Sequence, residues 1–194
     1  LSDVVNNKVE LPAGFKAKLA RSMLHELLVQ VFELGLFHAD PHAGNLMLLD
    51  DGAVGLYDWG LAGELLESDR RHIAAILKAV MALDLEMLID ALQVMAEESG
   101  VEVSRDKIKK ELGSVIRLIK KGREDPENKP SMQQLFEACL KGAARLGINV
   151  PEGLLLMVKS LITIEGLAKG IDPKVSMARV ATPVLFRAAR PGFK

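Results

Sequence analysis

Two short segments carry polar side chains that could act together in a reaction. The first, residues 37–45, reads F-H-A-D-P-H-A-G-N and puts Asn45 five residues after Asp40. The second, residues 58–60, reads D-W-G and begins thirteen residues after Asn45. An aspartate can orient a hydroxyl group and accept its proton, while an asparagine and a second aspartate can hold Mg²⁺ against nucleotide phosphates. We therefore predict Asp40 as the catalytic carboxylate and Asn45 and Asp58 as metal ligands in a phosphoryl-transfer site.

A predicted β-hairpin would bring these side chains to one point. Residues 46–49 and 53–57 are apolar runs, and the Asp-Gly pair between them is a strong signal for a tight turn. Asn45 would enter the first strand and Asp58 would leave the second, so antiparallel pairing would place them side by side. Asp40 would lie on the loop just ahead of the hairpin.

Each segment alone has an ordinary explanation, because Asp-Pro and Asp-Gly pairs are common in loops. Together they match the H-R-D-x-x-x-x-N and D-F-G pattern of kinases at the right separation. The two departures are Ala39 in place of arginine and Trp59 in place of phenylalanine. The combination therefore favours phosphoryl transfer over chance.

The two histidines of the first segment are predicted to have different roles. His38 is expected to be structural, bonding backbone groups within a strained loop. His42 follows Asp40 by two residues, where kinases carry a phosphate-contacting lysine, so it either contacts a nucleotide phosphate or shapes the loop. A zinc or iron site built on these histidines and the aspartates is a further alternative. Pro41 and Gly44 disfavour that alternative, since they indicate a loop rather than a helix.

Met47 is the second candidate for nucleotide contact. It follows Asn45 by two residues, where kinase folds place an apolar side chain beneath the adenine ring. Ordinary core packing is the alternative for this residue. The segment after the D-W-G, residues 61–67, corresponds to an activation segment but is very short, which disfavours a typical protein kinase.

Residues 38–45 resemble the H-A-D-P-H-P-G-N signature of the UbiB family of atypical kinases, also called ABC-one or ADCK proteins. Ala43 stands where that family usually has proline, and Trp59 where it usually has phenylalanine. Residues 151–173 resemble a second family segment, with Lys159 where the family usually has arginine. Small-molecule kinases of the aminoglycoside and choline phosphotransferase type share a similar first motif, but they lack the second segment.

This resemblance implies an intact protein that binds ATP and Mg²⁺ and acts as an atypical kinase or ATPase supporting isoprenoid-quinone (ubiquinone) biosynthesis. The sequence contains neither a glycine-rich phosphate loop nor a strand-rich N-lobe with its paired lysine. The chain is therefore expected to be a C-terminal lobe alone, with weak nucleotide binding and negligible turnover. Two alternatives stay open. One is a lobe of a small-molecule phosphotransferase, and the other is a non-enzymatic helical module that binds lipid or protein.

Composition supports a helical domain with an aliphatic core, because 49% of the 194 residues are hydrophobic and only 4% are aromatic. A net charge of −1 offers no bulk attraction for nucleic acid. Cys139 is the only cysteine, so no disulfide can form within the chain, and we expect a buried thiol. The most apolar window, residues 154–167, is too short for a membrane span and contains Lys159 and Glu165. A cytoplasmic or peripheral membrane location is expected.

The predicted fold is mostly α with a small β-hairpin, in the manner of a protein-kinase-like C-lobe that forms a single domain. Residues 1–14 are a lead-in, residues 15–67 hold the catalytic helix, loop and hairpin, and residues 68–194 form a helical extension.

Hydrophobic periodicity and capping signals predict the helices. They are residues 15–34 ending at Gly35, 68–83 capped by Ser68, one from Asp84, one from Ser104, one from Ser131 to 146 opened by a capping box with Gln134, 151–170, and 172–189 bent at Pro183. A polar loop is predicted over residues 122–130, between the helices from Ser104 and Ser131. The helix from Ser104 is basic, which suggests a solvated face or, alternatively, contact with anionic lipid headgroups. Its basic residues are Arg105, Lys107, Lys109, Lys110, Arg117, Lys120, Lys121 and Arg123.

Overall fold

A computed structural model of the protein describes residues 1–6, 8–125, 130–148, 150 and 152–188. The chain divides into two compact units. The first unit comprises residues 1–66 together with 155–194, and the second unit comprises residues 67–154.

Among the described elements, helices and short strands alternate up to residue 66, and helices follow from there. They are α1 Ser2–Val5, α2 Ala13–Val29, a π-helical turn Gln30–Leu34, β1 Leu36–His38, a 3-10 turn Ala43–Asn45, β2 Leu46–Leu48, β3 Val54–Leu56, β4 Ala62–Glu64, α3 Glu67–Ala82, α4 Leu85–Glu98, α5 Arg105–Glu111, α6 Gly113–Glu124, α7 Met132–Arg145, α8 Glu152–Ile171 and α9 Met177–Ala188.

The long helix ahead of the catalytic loop is α2, which buries one face against the core of the first unit. Its buried residues are Leu19, Ala20, Met23, Leu24, Leu27 and Leu28. Gly35 ends the helical segment in the left-handed conformation, with φ of 78°, which confirms its predicted role as a cap. The last turn differs from the prediction because it is π-helical, and the Gly35 N–H donates to the Gln30 carbonyl at 2.8 Å.

The predicted hairpin is present as the antiparallel pair β2–β3. Leu46 lies opposite Leu56 and Leu48 opposite Val54. Gly52 occupies the turn with φ of 83°, a conformation that glycine adopts without strain.

A second antiparallel pair, β1–β4, was not predicted. His38 lies opposite Ala62, and Phe37 opposite Gly63. Phe37 is fully buried, and a Cβ added at Gly63 would lie 2.2 Å from its ring. Gly63 is therefore needed for the close approach of β4 to the residues that precede the catalytic loop.

The second unit is an assembly of helices α3 to α7 around an aliphatic core. Among its buried residues are Val80, Leu88, Ile89, Leu92, Ile108, Leu112, Val115 and Ile119. Cys139 is buried beside them, and burial raises the pKa of its thiol to about 12. The sequence correctly indicated a mostly aliphatic interior, in which Phe136 is also buried.

Most predicted caps in the second unit are confirmed. The side chains of Asp84 and Ser104 accept hydrogen bonds from Met87 N at 3.0 Å and Lys107 N at 3.3 Å. Ser131 forms the expected capping box with its N3 glutamine.

Three boundaries of helices differ from the prediction. Ser68 lies inside the first turn of α3 rather than at its cap. The helix from Ser104 is two helices, α5 and α6, which meet at Leu112. Gly122, expected in a loop, is the buried end of α6, where Pro130 and Leu83 leave no room for a Cβ.

The last helix begins later than predicted. The Asp172 carboxylate accepts a hydrogen bond from Lys174 N at 3.0 Å in a turn, and α9 starts at Met177. Pro183 lies inside α9, as expected. Pro151, the predicted start of α8, lies outside the described residues, as does the predicted end of α9 at residue 189.

Two surface properties bear on the membrane question. Across the described ranges, no helix combines the length and hydropathy that are needed to cross a bilayer. Two members of the basic set, Arg105 and Lys109, form ion pairs with Glu86 on α4, and Arg105 also pairs with Asp90. The basic face is therefore partly neutralised by the neighbouring helix.

Candidate functional site

The catalytic loop is a compact series of turns that brings Asn45 next to Asp40. The Asp40 carbonyl accepts hydrogen bonds from His42 N at 2.8 Å and from Asn45 Nδ2 at 3.1 Å. Asn45 N also donates to the His42 carbonyl at 2.9 Å. Because its amide nitrogen is used in this way, the side-chain oxygen of Asn45 is left for another partner.

His38 connects this loop to the strand that leads to the D-W-G. Its side chain is nearly inaccessible, at 1% exposure. Nδ1 accepts a hydrogen bond from Asp40 N at 3.1 Å, so the proton lies on Nε2, which donates to the Tyr57 carbonyl at 2.9 Å. The predicted structural role of His38 is confirmed, and its bonds fix the spacing between Asp40 and the residue before Asp58.

The hairpin extends by one pair beyond its strands, because Tyr57 N donates to the Asn45 carbonyl at 2.9 Å. Asp58 follows directly, with a left-handed backbone of φ 43°, and its Oδ1 accepts a hydrogen bond from Gly60 N at 3.1 Å. Within the described part of the chain, Oδ2 of Asp58 takes no hydrogen bond. The backbone therefore brings Asn45 and Asp58 to the same end of the hairpin, as the sequence predicted.

An ion pair that the sequence did not predict holds Asp40. Lys159 of α8 lies with its Nζ 3.0 Å from Asp40 Oδ1, and the other oxygen, Oδ2, lies 3.8 Å from His42 Nε2. The Lys159 ammonium, by hydrogen bond and charge, holds the pKa of the Asp40 carboxyl below its ordinary value. Asp40 is therefore a carboxylate at neutral pH, as an acceptor of a hydroxyl proton must be.

One sequence feature could have indicated a partner for Lys159. Lys159 interrupts the apolar window of α8, where a charged side chain requires a partner. Glu165, six residues further along α8, has such a partner in Lys169 at 2.8 Å.

His42 shapes the loop. Its Nδ1 accepts a hydrogen bond from Gly44 N at 3.1 Å and so caps the 3-10 turn. A Cβ at Gly44 would lie 2.9 Å from the His42 imidazole ring, so the turn favours glycine, which has no Cβ, at this position. The His42 side chain is half exposed, so its phosphate contact remains a prediction beside the observed loop-shaping role.

Exposed apolar side chains surround the end of the hairpin. Met47 is 38% exposed, and its sulfur accepts a hydrogen bond from the Tyr57 hydroxyl at 2.8 Å. Trp59 is 47% exposed, and its ring lies 5.1 Å from that of His38, centroid to centroid. Met47 is therefore not a core residue, and its proposed place beneath an adenine ring stays a prediction.

The donors at this end of the hairpin suit Mg²⁺. Asn45 and Asp58 offer oxygen atoms, and Mg²⁺ in nucleotide sites is held by one or two such side chains together with phosphate and water oxygens. Over the residues that the structure describes, no group of three or more His, Cys, Asp or Glu side chains is arranged to hold a metal ion. Asn45 and Asp58 would supply two ligands of such a site, and phosphate and water oxygens would complete it.

Comparison with protein-family models gives two matches along the chain. A model described as the ABC1 atypical kinase-like domain matches residues 6–92, which include both chemical motifs and the hairpin. A model described as the UbiB helical domain matches residues 117–176, which include the second family-like segment. The fold is correspondingly a mostly helical kinase-like lobe with small antiparallel sheets. The chain therefore belongs to the UbiB/ABC1 family of atypical kinase-like proteins.

Proposed function

We propose that the chain is the C-terminal lobe of an atypical kinase or ATPase that uses Mg²⁺ and ATP. Asp40 is the catalytic carboxylate, Asn45 and Asp58 are the metal ligands, and His42 and Met47 contact the nucleotide. The observation that carries this proposal is the set of hydrogen bonds that joins Asp40, Asn45 and the strand before Asp58 into one rigid unit.

Asp40 would orient the attacking hydroxyl group or water molecule and take its proton. The ion pair with Lys159 supports this role, because it fixes the direction of the Asp40 carboxylate, whose pKa it also lowers. Lys159 acts through Asp40 and is a positioning residue. Bound metal supplies charge neutralisation for the phosphate groups, and the Asn45 and Asp58 oxygens would orient it.

Nucleotide binding would cover part of the exposed apolar surface at the hairpin. Met47, Tyr57 and Trp59 are each between 38% and 47% exposed, and soluble domains rarely leave such side chains clustered without a partner. We propose that Met47 lies under the adenine ring and that an N-lobe covers the remainder. This chain alone then offers half of a nucleotide site and binds Mg·ATP weakly.

In the biological setting, we propose a role in isoprenoid-quinone (ubiquinone) biosynthesis, with a lipid or quinone precursor as ligand and a possible contact with the membrane surface. Family membership supports the role in quinone biosynthesis. The basic side chains of α5 and α6 other than Arg105 and Lys109 support the membrane contact.

Isothermal titration calorimetry of the chain with Mg·ATP tests the site directly. Trp59, the only tryptophan, follows Asp58 and provides a second readout by fluorescence. We expect an affinity in the millimolar range that Asp58→Asn weakens further. Asparagine tolerates the left-handed backbone at this position and keeps an oxygen for the Gly60 N–H, so the substitution removes charge without a change of fold.

Asp51→Asn is the matched control. Asp51 lies in the turn of the same hairpin, and its carboxylate accepts a hydrogen bond from Ala53 N at 2.9 Å. It therefore makes the same kind of backbone hydrogen bond as Asp58, but in the turn rather than at the end next to Asn45. It should leave Mg·ATP binding unchanged. Equal affinities for the two variants would refute the metal-ligand assignment, and micromolar binding by the isolated chain would refute the half-site.

A further inference from the structure

A cleft of about 770 Å³ lies between α2 and the beginning of α9 in the first unit. Four cationic side chains line it: Lys18, Arg21, Lys174 and Arg179. A single carboxylate, that of Asp172, accompanies them, so the lining has a clear excess of positive charge.

These cations are not neutralised by neighbouring carboxylates. Among the residues that the structure describes, none of the four lies within ion-pair distance of an Asp or Glu side chain. Asp172 instead accepts a hydrogen bond from a backbone N–H, that of Lys174, at 3.0 Å. By contrast, Lys169 and Arg187 of the same unit pair with Glu165 at 2.8 Å and Glu33 at 2.7 Å.

Both walls present polar groups that suit an anion. On α2, Lys18, Arg21 and Ser22 fall on one face at helical spacing. Arg21 Nε donates to the Ala17 carbonyl at 3.2 Å, which ties the guanidinium to α2, and the Arg21 side chain lines the cleft. On α9, Ser176 caps the first turn through the Arg179 N–H at 3.4 Å, and the positive end of the helix dipole lies at this point.

We infer that this cleft is a binding site for a phosphate-bearing anion, such as a phosphate monoester or a diphosphate. Four like charges on a concave surface repel one another, and a bound anion removes that repulsion. Arginine and lysine together provide the bidentate and point-charge contacts that phosphate groups accept. The site shares no residue with the Asp40, Asn45 and Asp58 centre, so it goes beyond the nucleotide site and does not depend on it.

Titration with sodium pyrophosphate in the absence of divalent ions, at ionic strength held constant with chloride, tests the inference. We expect saturable binding by calorimetry. Lys174→Ala/Arg179→Ala should weaken the affinity about tenfold, since hydrogen bonds to charged groups are among the stronger ones. Lys18→Ala/Arg21→Ala, on the opposite wall, should have a similar effect, so the result does not depend on one variant.

The matched control is Lys8→Ala/Lys16→Ala, which removes the same net charge from the first unit outside the cleft. It should bind pyrophosphate within about twofold of the wild type, because screening limits the effect of distant charges. An equal loss in this control, or a linear response without saturation, would show diffuse electrostatics and overturn the inference. Asp58→Asn should leave pyrophosphate binding unchanged, so a failure of the nucleotide-site proposal can be distinguished from a failure of this inference.

Vesicles identify the source of the phosphate group. Sedimentation with phosphatidylcholine vesicles, with and without phosphatidic acid, distinguishes a lipid headgroup from a free ligand. Binding only to the vesicles that contain phosphatidic acid, lost in the two cleft variants, would assign a headgroup. Pyrophosphate binding without vesicle binding would assign a soluble phosphate compound, and the absence of both would refute the site.

Discussion

The second unit and the hairpin region of the first unit use their hydrophobic residues in opposite ways. In the second unit, large aliphatic side chains such as Leu88, Leu92 and Ile108 are at most 2% exposed. At the hairpin, Met47 and Trp59 are 38% and 47% exposed, while a histidine, His38, is buried at 1%. One region gains its stability from apolar packing, and the other is held in shape by hydrogen bonds and leaves apolar side chains exposed.

This contrast separates scaffold from site without reference to any family. Burying a histidine costs free energy unless its ring nitrogens are hydrogen-bonded, and both nitrogens of His38 are bonded in a way that holds Asp40 in relation to Tyr57. Exposed aromatic and sulfur-containing side chains are unfavourable unless something covers them. Both features occur within a few residues of Asp40, Asn45 and Asp58, the residues of the proposed site.

The largest effect is expected in the core of the second unit. Leu88→Ala should lower the free energy of unfolding by about 3 kcal/mol, since it removes a fully buried side chain and leaves a cavity. Val94→Ala on the same helix, at a position 47% exposed, is the control and should change it by less than about 0.5 kcal/mol. Urea unfolding measures both. Similar changes in the free energy of unfolding for the two variants would contradict the claim that apolar packing stabilises the second unit.

A smaller but still large effect is expected at the base of the catalytic loop. Gly63→Ala would place a methyl group 2.2 Å from the buried Phe37 ring, so the free energy of unfolding should fall by about 2 kcal/mol. Gly166→Ala has open space around it within α8 and should stabilise the protein by up to about 1 kcal/mol. Urea unfolding again provides the measurement, and no loss for Gly63→Ala would contradict the observed strand pairing.

The smallest effect on stability is expected at the Asp40–Lys159 pair, although the loss of the pair should affect the proposed role of Asp40 more strongly than it affects stability. Lys159→Met should raise the pKa of Asp40 toward the ordinary value of 3.8. The pair's contribution is complete above pH 3.8 and is lost as the pH falls through the lower pKa of the folded state. Since both side chains are partly exposed, its loss at neutral pH should cost about 0.5 kcal/mol.

Carbon NMR of the Asp40 carboxyl, followed as a function of pH, measures this shift. Lys169→Met is the matched control, because it removes a lysine of α8 that pairs with Glu165 instead. The control should leave the pKa of Asp40 unchanged. An Asp40 pKa that is also unchanged in Lys159→Met would mean that the ion pair does not lower the pKa of this carboxyl.

Local sequence patterns predicted the hairpin and most helices, because each of these elements is determined by residues that lie close together in the sequence. The Asp-Gly turn between apolar runs required only a few consecutive positions, and the Ser131 capping box required four. The β1–β4 pair was missed because each strand has three residues and its pairing joins segments far apart in sequence. The division at Leu112 was missed because the apolar periodicity runs through it.

For the candidate site, as for the fold, the sequence predicted one part and missed another. The motif spacing correctly predicted that the hairpin brings Asn45 and Asp58 to one end. It did not predict Lys159, which reaches Asp40 from a helix more than a hundred residues away in sequence. Contacts of that kind depend on tertiary packing, and a lone charge in an apolar helix indicates only that some partner exists.

The buried thiol of Cys139 has a practical consequence. With its pKa raised to about 12, hardly any thiolate is present near neutral pH, so maleimide reagents should leave the native protein unlabelled. A single cysteine introduced on the surface could then carry a fluorophore or spin label without a cysteine-free background.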